Sequence, residues 1–134
     1  MMFKIALLIP FVCSVLSAAP EYTIRFSHVV SPETPKGKAA LFFKEKLEAL
    51  THGKIAVKVY PNSKLFNDSQ VLKAMKKGQL EMAVPSLSKL STLVPQVEIF
   101  DLPFLFDNME HIHRVMRGTV GNTLKQLITN KGFI

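Results

Sequence analysis

Cysteine occurs once in the 134 residues, at Cys13, so no disulfide framework staples this fold. Tryptophan is absent and tyrosine occurs twice, which leaves ten phenylalanines as the aromatic bulk for a core. Acidic residues are few beside basic ones, 10 against 17, for a formal charge of +7. Such an excess suits an anionic solute, an anionic surface or nucleic acid, and charge alone does not choose among them. Catalytic signatures are missing as well. No serine sits in a G-x-S-x-G elbow. Neither glycine-rich phosphate loop occurs, nor does H-E-x-x-H. Internal repeats and low-complexity linkers are lacking too. Against these absences stand 48% hydrophobic and 20% charged residues, the proportions of a folded chain and not of a disordered one. The length suits one domain.

Met1 to Lys4 carry one positive charge, and Ile5 to Pro20 carry none. The small residues Ser17, Ala18 and Ala19 close that apolar run. A basic start, a short apolar middle and a small-residue end predict a secretory signal peptide over residues 1–18, cut after Ala18. A membrane-spanning helix needs about 20 apolar residues, and here the run is short and broken by Pro10. Cys13 leaves with the leader, so the mature chain, residues 19–134, is free of thiols.

Beyond the leader, apolar periods alternate between two and about 3.6 residues. Tyr22, Ile24 and Phe26 predict a strand. Thr34 as cap and Pro35 at the first helical position then open a helix. Its apolar face over Lys36–Thr51 is Ala40, Phe43, Leu47 and Leu50, and Gly53 ends it. Ile55–Tyr60 predicts a second strand, stopped by Pro61. Asn67 and Gln70 have the spacing of a capping box ahead of a helix to Lys77, with Val71, Leu72 and Met75 buried. Leu80, Met82 and Val84 predict a third strand. Ser86–Phe106 is less regular, with a short helix followed by the apolar segments VEIF and LPFLF. A second capping box, Asp107 with Glu110, precedes a helix to about Arg117. Gly118 and Gly121 bracket a corner before a last helix from about Asn122 to Thr129. Gly132–Ile134 has the look of another strand opening. Strands alternating with helices predict an α/β fold, mainly a parallel sheet flanked by helices.

In such sheets ligands gather beyond the carboxyl ends of the strands. Two predicted loops lie there, Ser27–Thr34 and Pro85–Lys89. His28 is placed to donate to an anion, or to be satisfied by backbone as an ordinary loop histidine. Ser86, Ser88 and Lys89 offer two hydroxyls and an ammonium to a carboxylate, or else cap a turn beside a solvated lysine. His111 and His113, two apart on a helix, point about 200° away from each other and do not share a metal ion. Zinc would also lack thiolates. No metal or other cofactor is expected. Lysines 36, 38, 44, 46, 73, 76 and 77 are spread over several helices among acids, which is not the single stripe of a nucleic-acid binder.

The residues also resemble a known family. IRFSHVVSPETPKGKAALFFKEKLEALTHGKIAVKVYPNSKLFNDSQVLKAMKKGQLEMAVPSLSKL, Ile24 to Leu90, resembles the start of a mature TRAP-transporter solute-binding protein. FDLPFLF, Phe100 to Phe106, is similar to that family too. The F-S-H opening and the P-S-L-S-K loop look closest to its C4-dicarboxylate-binding branch. The resemblance implies a periplasmic receptor of two α/β lobes that close on a carboxylate and deliver it to a membrane permease. It places solute contacts at Ser27, His28 and Val29 and at Ser86 and Lys89, with Asn67 and Asp68 where some members add a network residue. It also implies an N-terminal part of the first lobe over residues 19–134, with the hinge, the second lobe and the arginine clamp outside the sequence given. Arg25, Arg114 and Arg117 lie in segments that do not match the clamp. LPFLF is then expected among the exposed apolar segments.

Two other function classes stand beside the receptor. A small basic secreted protein would bind anionic polymers or surfaces with a steep salt dependence. A periplasmic enzyme would need a catalytic constellation, and the sequence presents none.

Overall fold

The computed structural model describes residues 19–134. The expected leader, residues 1–18, lies outside the described residues. β1 (Tyr22–Ser27) is the central strand of a three-stranded parallel sheet, flanked by β2 (Ile55–Tyr60) and β3 (Met82–Ala83) in the order β2-β1-β3. Its whole length pairs with β2, from Tyr22 with Ile55 to Ser27 with Tyr60. With β3 it pairs only at Phe26–Met82 and Ser27–Ala83. Parallel neighbours need a crossover, and α1 (Pro35–Leu50) and α2 (Val71–Lys76) supply the two.

Local chemistry starts α1 where the sequence predicts. The Thr34 hydroxyl accepts the Gly37 N–H at 3.2 Å, and Pro35 occupies the first turn. At the other end Gly53, at φ +77°, turns the chain back and donates to the Glu48 carbonyl at 2.9 Å. Ala40, Phe43 and Leu47 pack on Phe26 and Val57 of the sheet, and the rings of Phe26 and Phe43 meet edge to face at 5.8 Å. Glu48 accepts both the Val57 N–H at 2.8 Å and the Lys44 ammonium at 2.5 Å, which ties the helix to the outer strand.

α2 packs through Val71 and Ala74 against Leu80, with Phe66 and Ala83 beside them. Met82 joins the α1 cluster and Ala83 the α2 cluster, because successive strand residues point to opposite faces. α1 and α2 therefore cover opposite sides of the sheet. Asn67 and Gln70 form the expected reciprocal box: the Asn67 carboxamide accepts the Gln70 N–H at 3.0 Å, and the Gln70 carboxamide accepts the Asn67 N–H at 3.4 Å. A third cluster of Val94, Val97 and Leu124 joins the 3-10 helix Pro95–Asp101 to α5 (Thr119–Thr129); α3 (Leu87–Leu90) and α4 (Met109–Arg117) complete the element order.

Several expectations need correction. Leu50 is 78% exposed, since the last turn of α1 has run past the sheet it packs on. Leu80 is buried but precedes β3, and the strand holds two residues where a longer one was expected. The cap of α4 is Asn108, whose carboxamide accepts the His111 N–H at 2.9 Å; Asp107 meets the His111 ring instead, at 3.2 Å. Gly121 lies inside α5 and not at a corner. A Cβ there would fall 2.0 Å from the Met116 carbonyl oxygen, so the glycine allows α4 and α5 to close on each other. Gly132–Ile134 forms no strand; the buried Phe133 ring lies 5.5 Å from the Lys76 ammonium. Leu102–Leu105 of LPFLF are exposed as expected, with Phe104 fully open to solvent at φ +60°, while Phe106 is half-buried and stacks on Phe100.

Candidate functional site

Three loops meet beyond the carboxyl ends of the strands. The chain leaving β1 is held by the turn after β2: the His28 N–H donates to the Tyr60 carbonyl at 3.1 Å, Ser63 N–H to the His28 carbonyl at 3.2 Å, and Asn62 N–H to the Val30 carbonyl at 3.1 Å. Asn62 and Ser63 both take positive φ, 55° and 58°, and so turn their N–H groups back towards the first loop. On the other side Val84 N–H donates to the Ser27 carbonyl at 3.3 Å, which draws the chain after β3 alongside.

Ser27 and His28 are buried at this junction, His28 at 2% exposure. The Ser27 hydroxyl, both ring nitrogens of His28 and one oxygen of Asp68 (Oδ1) are buried polar atoms with no hydrogen-bond partner among the described residues. Burial pushes the His28 pKa below its ordinary value, and the Lys36 charge adds to that; the Val30 carbonyl opposes it without reaching hydrogen-bond geometry to either nitrogen. At neutral pH the imidazole is thus uncharged, with one N–H to give and one lone pair to receive. Unpaired polar atoms in a dry interior are costly, and those of the adjacent Ser27 and His28 lie at a strand end, where this architecture receives ligands.

Asp68 and Ser86 are brought together across 18 positions of sequence. Asp68 Oδ2 accepts the Ser86 hydroxyl at 2.6 Å and its N–H at 3.3 Å. Ser86 is the cap residue of α3, and its hydroxyl proton is spent on Asp68 and not on the helix. Asp68 and Lys89 then line one open cleft of about 380 Å³, with Leu72, Lys73 and Lys76 on the α2 side and Leu93 beyond α3. Ser27 and His28 do not line that cleft. Asn67 is committed locally, accepting from the Ser69 and Gln70 N–H groups and from the Ser69 hydroxyl.

Sequence reading missed Asn62 and Ser63 as the clamp on the His28 loop, and Lys73 and Lys76 as cleft residues. The P-N-S turn after β2 is a signal for the first pair, since Asn tolerates a left-handed backbone. The lysines carry no local signal, because only the tertiary fold sets α2 beside α3.

Residues 26–134 match the family described as bacterial extracellular solute-binding protein, family 7. The C4-dicarboxylate-binding periplasmic protein of Rhodobacter capsulatus is 44% identical over 120 residues, covering 89% of this chain and 36% of that protein. A TRAP periplasmic solute binding protein of Sulfurospirillum deleyianum with bound succinate superposes with a TM-score of 0.79 at 49% identity, over 84% of this chain and 36% of that one. The sugar acid binding protein of Advenella mimigardefordensis, in complex with galactonate, gives a TM-score of 0.80 at 33% identity, over 86% of this chain and 37% of that one. The chain thus spans about a third of the length of the relatives it matches.

Proposed function

The chain belongs to the bacterial extracellular solute-binding proteins of family 7, and from that premise we propose that it is the N-terminal part of a periplasmic TRAP receptor for a C4-dicarboxylate. Residues 1–18 act as the secretory leader, and residues 19–134 form part of the first lobe. The receptor hands its solute to the membrane permease subunits of the same transport system. Lys89 brings positive charge to the solute, at a position fixed by the Asp68–Ser86 pair. Ser27 and His28 form a neutral polar floor at the end of β1. A neutral imidazole there orients an acid without attracting it, while the ammonium supplies the charge-assisted bond.

The observation that carries this reading is the grading of identity with solute. Over the superposed part, the compared structure holding succinate is 49% identical to this chain, and the one holding galactonate is 33% identical at nearly the same TM-score. Equal backbones with unequal side chains point to the solute of the nearer sequence.

Thermal unfolding of a receptor that carries this chain together with a second lobe, measured with succinate and with galactonate, tests it. Succinate at a hundredfold excess over its Kd is expected to add about 2.7 kcal/mol of stability, visible as a raised Tm, with galactonate inert. A shift with galactonate alone would move the reading to sugar acids.

A further inference from the structure

α1 is apolar on two faces. Ala40, Phe43 and Leu47 pack on the sheet. On the outside Phe42 is 60% exposed, Leu41 45% and Leu50 78%. A surface helix ordinarily turns polar residues to water, so large apolar side chains grouped on its outer side mark a surface of contact. Residues four apart share a stripe, which sets the exposed Lys38, Phe42 and Lys46 in one line, with Leu41 on one flank and Leu50 on the other. Leu50 extends the surface into an open groove that it lines with Tyr22 and Ile55.

The charges on this face say what covers it. Lys44 is paired with Glu48, whereas Lys38 and Lys46 enter no ion pair among the described residues. The Lys46 ammonium lies instead 5.3 Å from the centre of the Phe42 ring, so a cation and an apolar ring are presented side by side. Glu45 is the one exposed acid of α1. Protein interfaces favour Tyr, Trp, Met and Arg and are poor in Lys. α1 holds four lysines and none of those four types. Phenylalanine and leucine beside lysine is the make-up of a helix that lies on a lipid surface. A second copy fits poorly, because antiparallel pairing about Phe42 would bring Lys38 against Lys46 of the other copy.

We propose that the outer face of α1 docks on an anionic lipid surface. Leu41, Phe42 and Leu50 enter the headgroup layer, and Lys38 and Lys46 meet lipid phosphates. Docking of this kind holds the receptor at the membrane whatever acid it carries, so it goes beyond the solute reading and does not depend on it.

Cosedimentation with vesicles tests the proposal, using a receptor that carries residues 19–134 together with a second lobe. Residues 1–18 are omitted so that their apolar run adds no binding of its own. Vesicles of phosphatidylcholine with about 30% phosphatidylglycerol should bind wild type at least about tenfold more strongly than phosphatidylcholine alone. Lys38→Gln combined with Lys46→Gln should weaken that binding about tenfold or more, and Leu41→Ser combined with Phe42→Ser about tenfold. Phe42→Leu keeps apolar area and should keep most of the binding. Lys77→Gln combined with Lys125→Gln removes the same charge from exposed positions outside α1 and should cost less than about threefold. All these side chains are exposed, so urea midpoints of the variants should match wild type. Wild type that binds neither vesicle overturns the proposal. Equal losses from the two lysine pairs overturn it as well, since that is the pull of net charge alone. So does binding that survives Leu41→Ser with Phe42→Ser. A receptor dimer abolished by Phe42→Ser would give the face to a second copy instead.

Discussion

Asp68 holds Ser86 at two points, with one carboxylate oxygen accepting the serine hydroxyl at 2.6 Å and its backbone N–H at 3.3 Å. The segment ahead of α2 is thereby fastened to the start of α3, and the two walls of the cleft are set at a fixed spacing. Asp68→Ala leaves both serine donors without their acceptor in a part-buried place. A loss of about 1–3 kcal/mol is expected, measured by urea unfolding. Asp68→Asn keeps one acceptor oxygen and should lose less.

Arg25 donates through Nε at 3.0 Å and through Nη2 at 2.5 Å to the Glu81 carboxylate, which also accepts the Arg25 backbone N–H at 2.8 Å. The hydrogen bond from Arg25 holds the Glu81 carboxyl below the ordinary 4.5. The hydrogen bond from Lys44 does the same for Glu48. A carboxyl with a lowered folded value stabilises the fold above its unfolded pKa and loses that contribution as pH falls through the folded one. The contribution of these two carboxylates should therefore be flat from neutral pH to about 5 and decline below about 4.5. Glu81→Gln and Glu48→Gln should each make the decline shallower. Both carboxylates are partly solvated, so each effect is expected to be small.

His28 gives a second, separate pH window. Burial keeps its folded pKa below the ordinary 6.5, so the unfolded chain takes up a proton first. Its contribution is complete above about pH 6.5 and falls away as the solution is acidified towards the folded value. His28→Phe should abolish the slope of Tm between pH 7 and 5. At pH 7 the same change should cost little or even stabilise, because it removes two unpaired nitrogens from the interior.

Gly37 lies under the loop that leaves β1. A Cβ at this position would come within 2.3 Å of the Ser31 carbonyl oxygen and 2.7 Å of Pro32. Gly37→Ala should displace that loop and destabilise by about 1–3 kcal/mol, read from chemical unfolding. Gly118→Ala, whose Cβ would meet the Arg114 carbonyl oxygen only at 3.3 Å, should cost less.

The parts of the fold legible in the sequence are those set by residues within a turn of one another. Thr34, Pro35 and Gly53 frame α1 by short-range hydrogen bonding, and Asn67 with Gln70 does so ahead of α2. The strand periods of Tyr22–Phe26 and Ile55–Tyr60 are likewise local. What failed depends on partners far along the chain. Leu50 has the right period but lies beyond the edge of the sheet, and periodicity does not reveal where a packing surface stops. Gly121 is a different case: Met116 is only five positions back, but its approach depends on how α4 and α5 close on each other. At the site, the strand-end location of Ser27 and His28 followed from the fold class, whereas their burial did not. The Asp68–Ser86 link spans 18 positions and leaves no periodic trace.

The order β2-β1-β3 has a consequence for the time course of folding. β1 and β2 are joined through α1 and can form as one unit with the packing of Phe26, Phe43 and Val57. The other side of β1 waits much longer, since Arg25 and Glu81 are 56 positions apart and the strand behind Glu81 offers only two pairing residues. Closing so long a loop for so few bonds is entropically expensive, so β3 should dock late and open first. The chain would then pass through a stage in which α1 is set and the Ser86–Lys89 loop has not arrived. Lys89, the cation proposed to meet the solute, belongs to the last piece put in place.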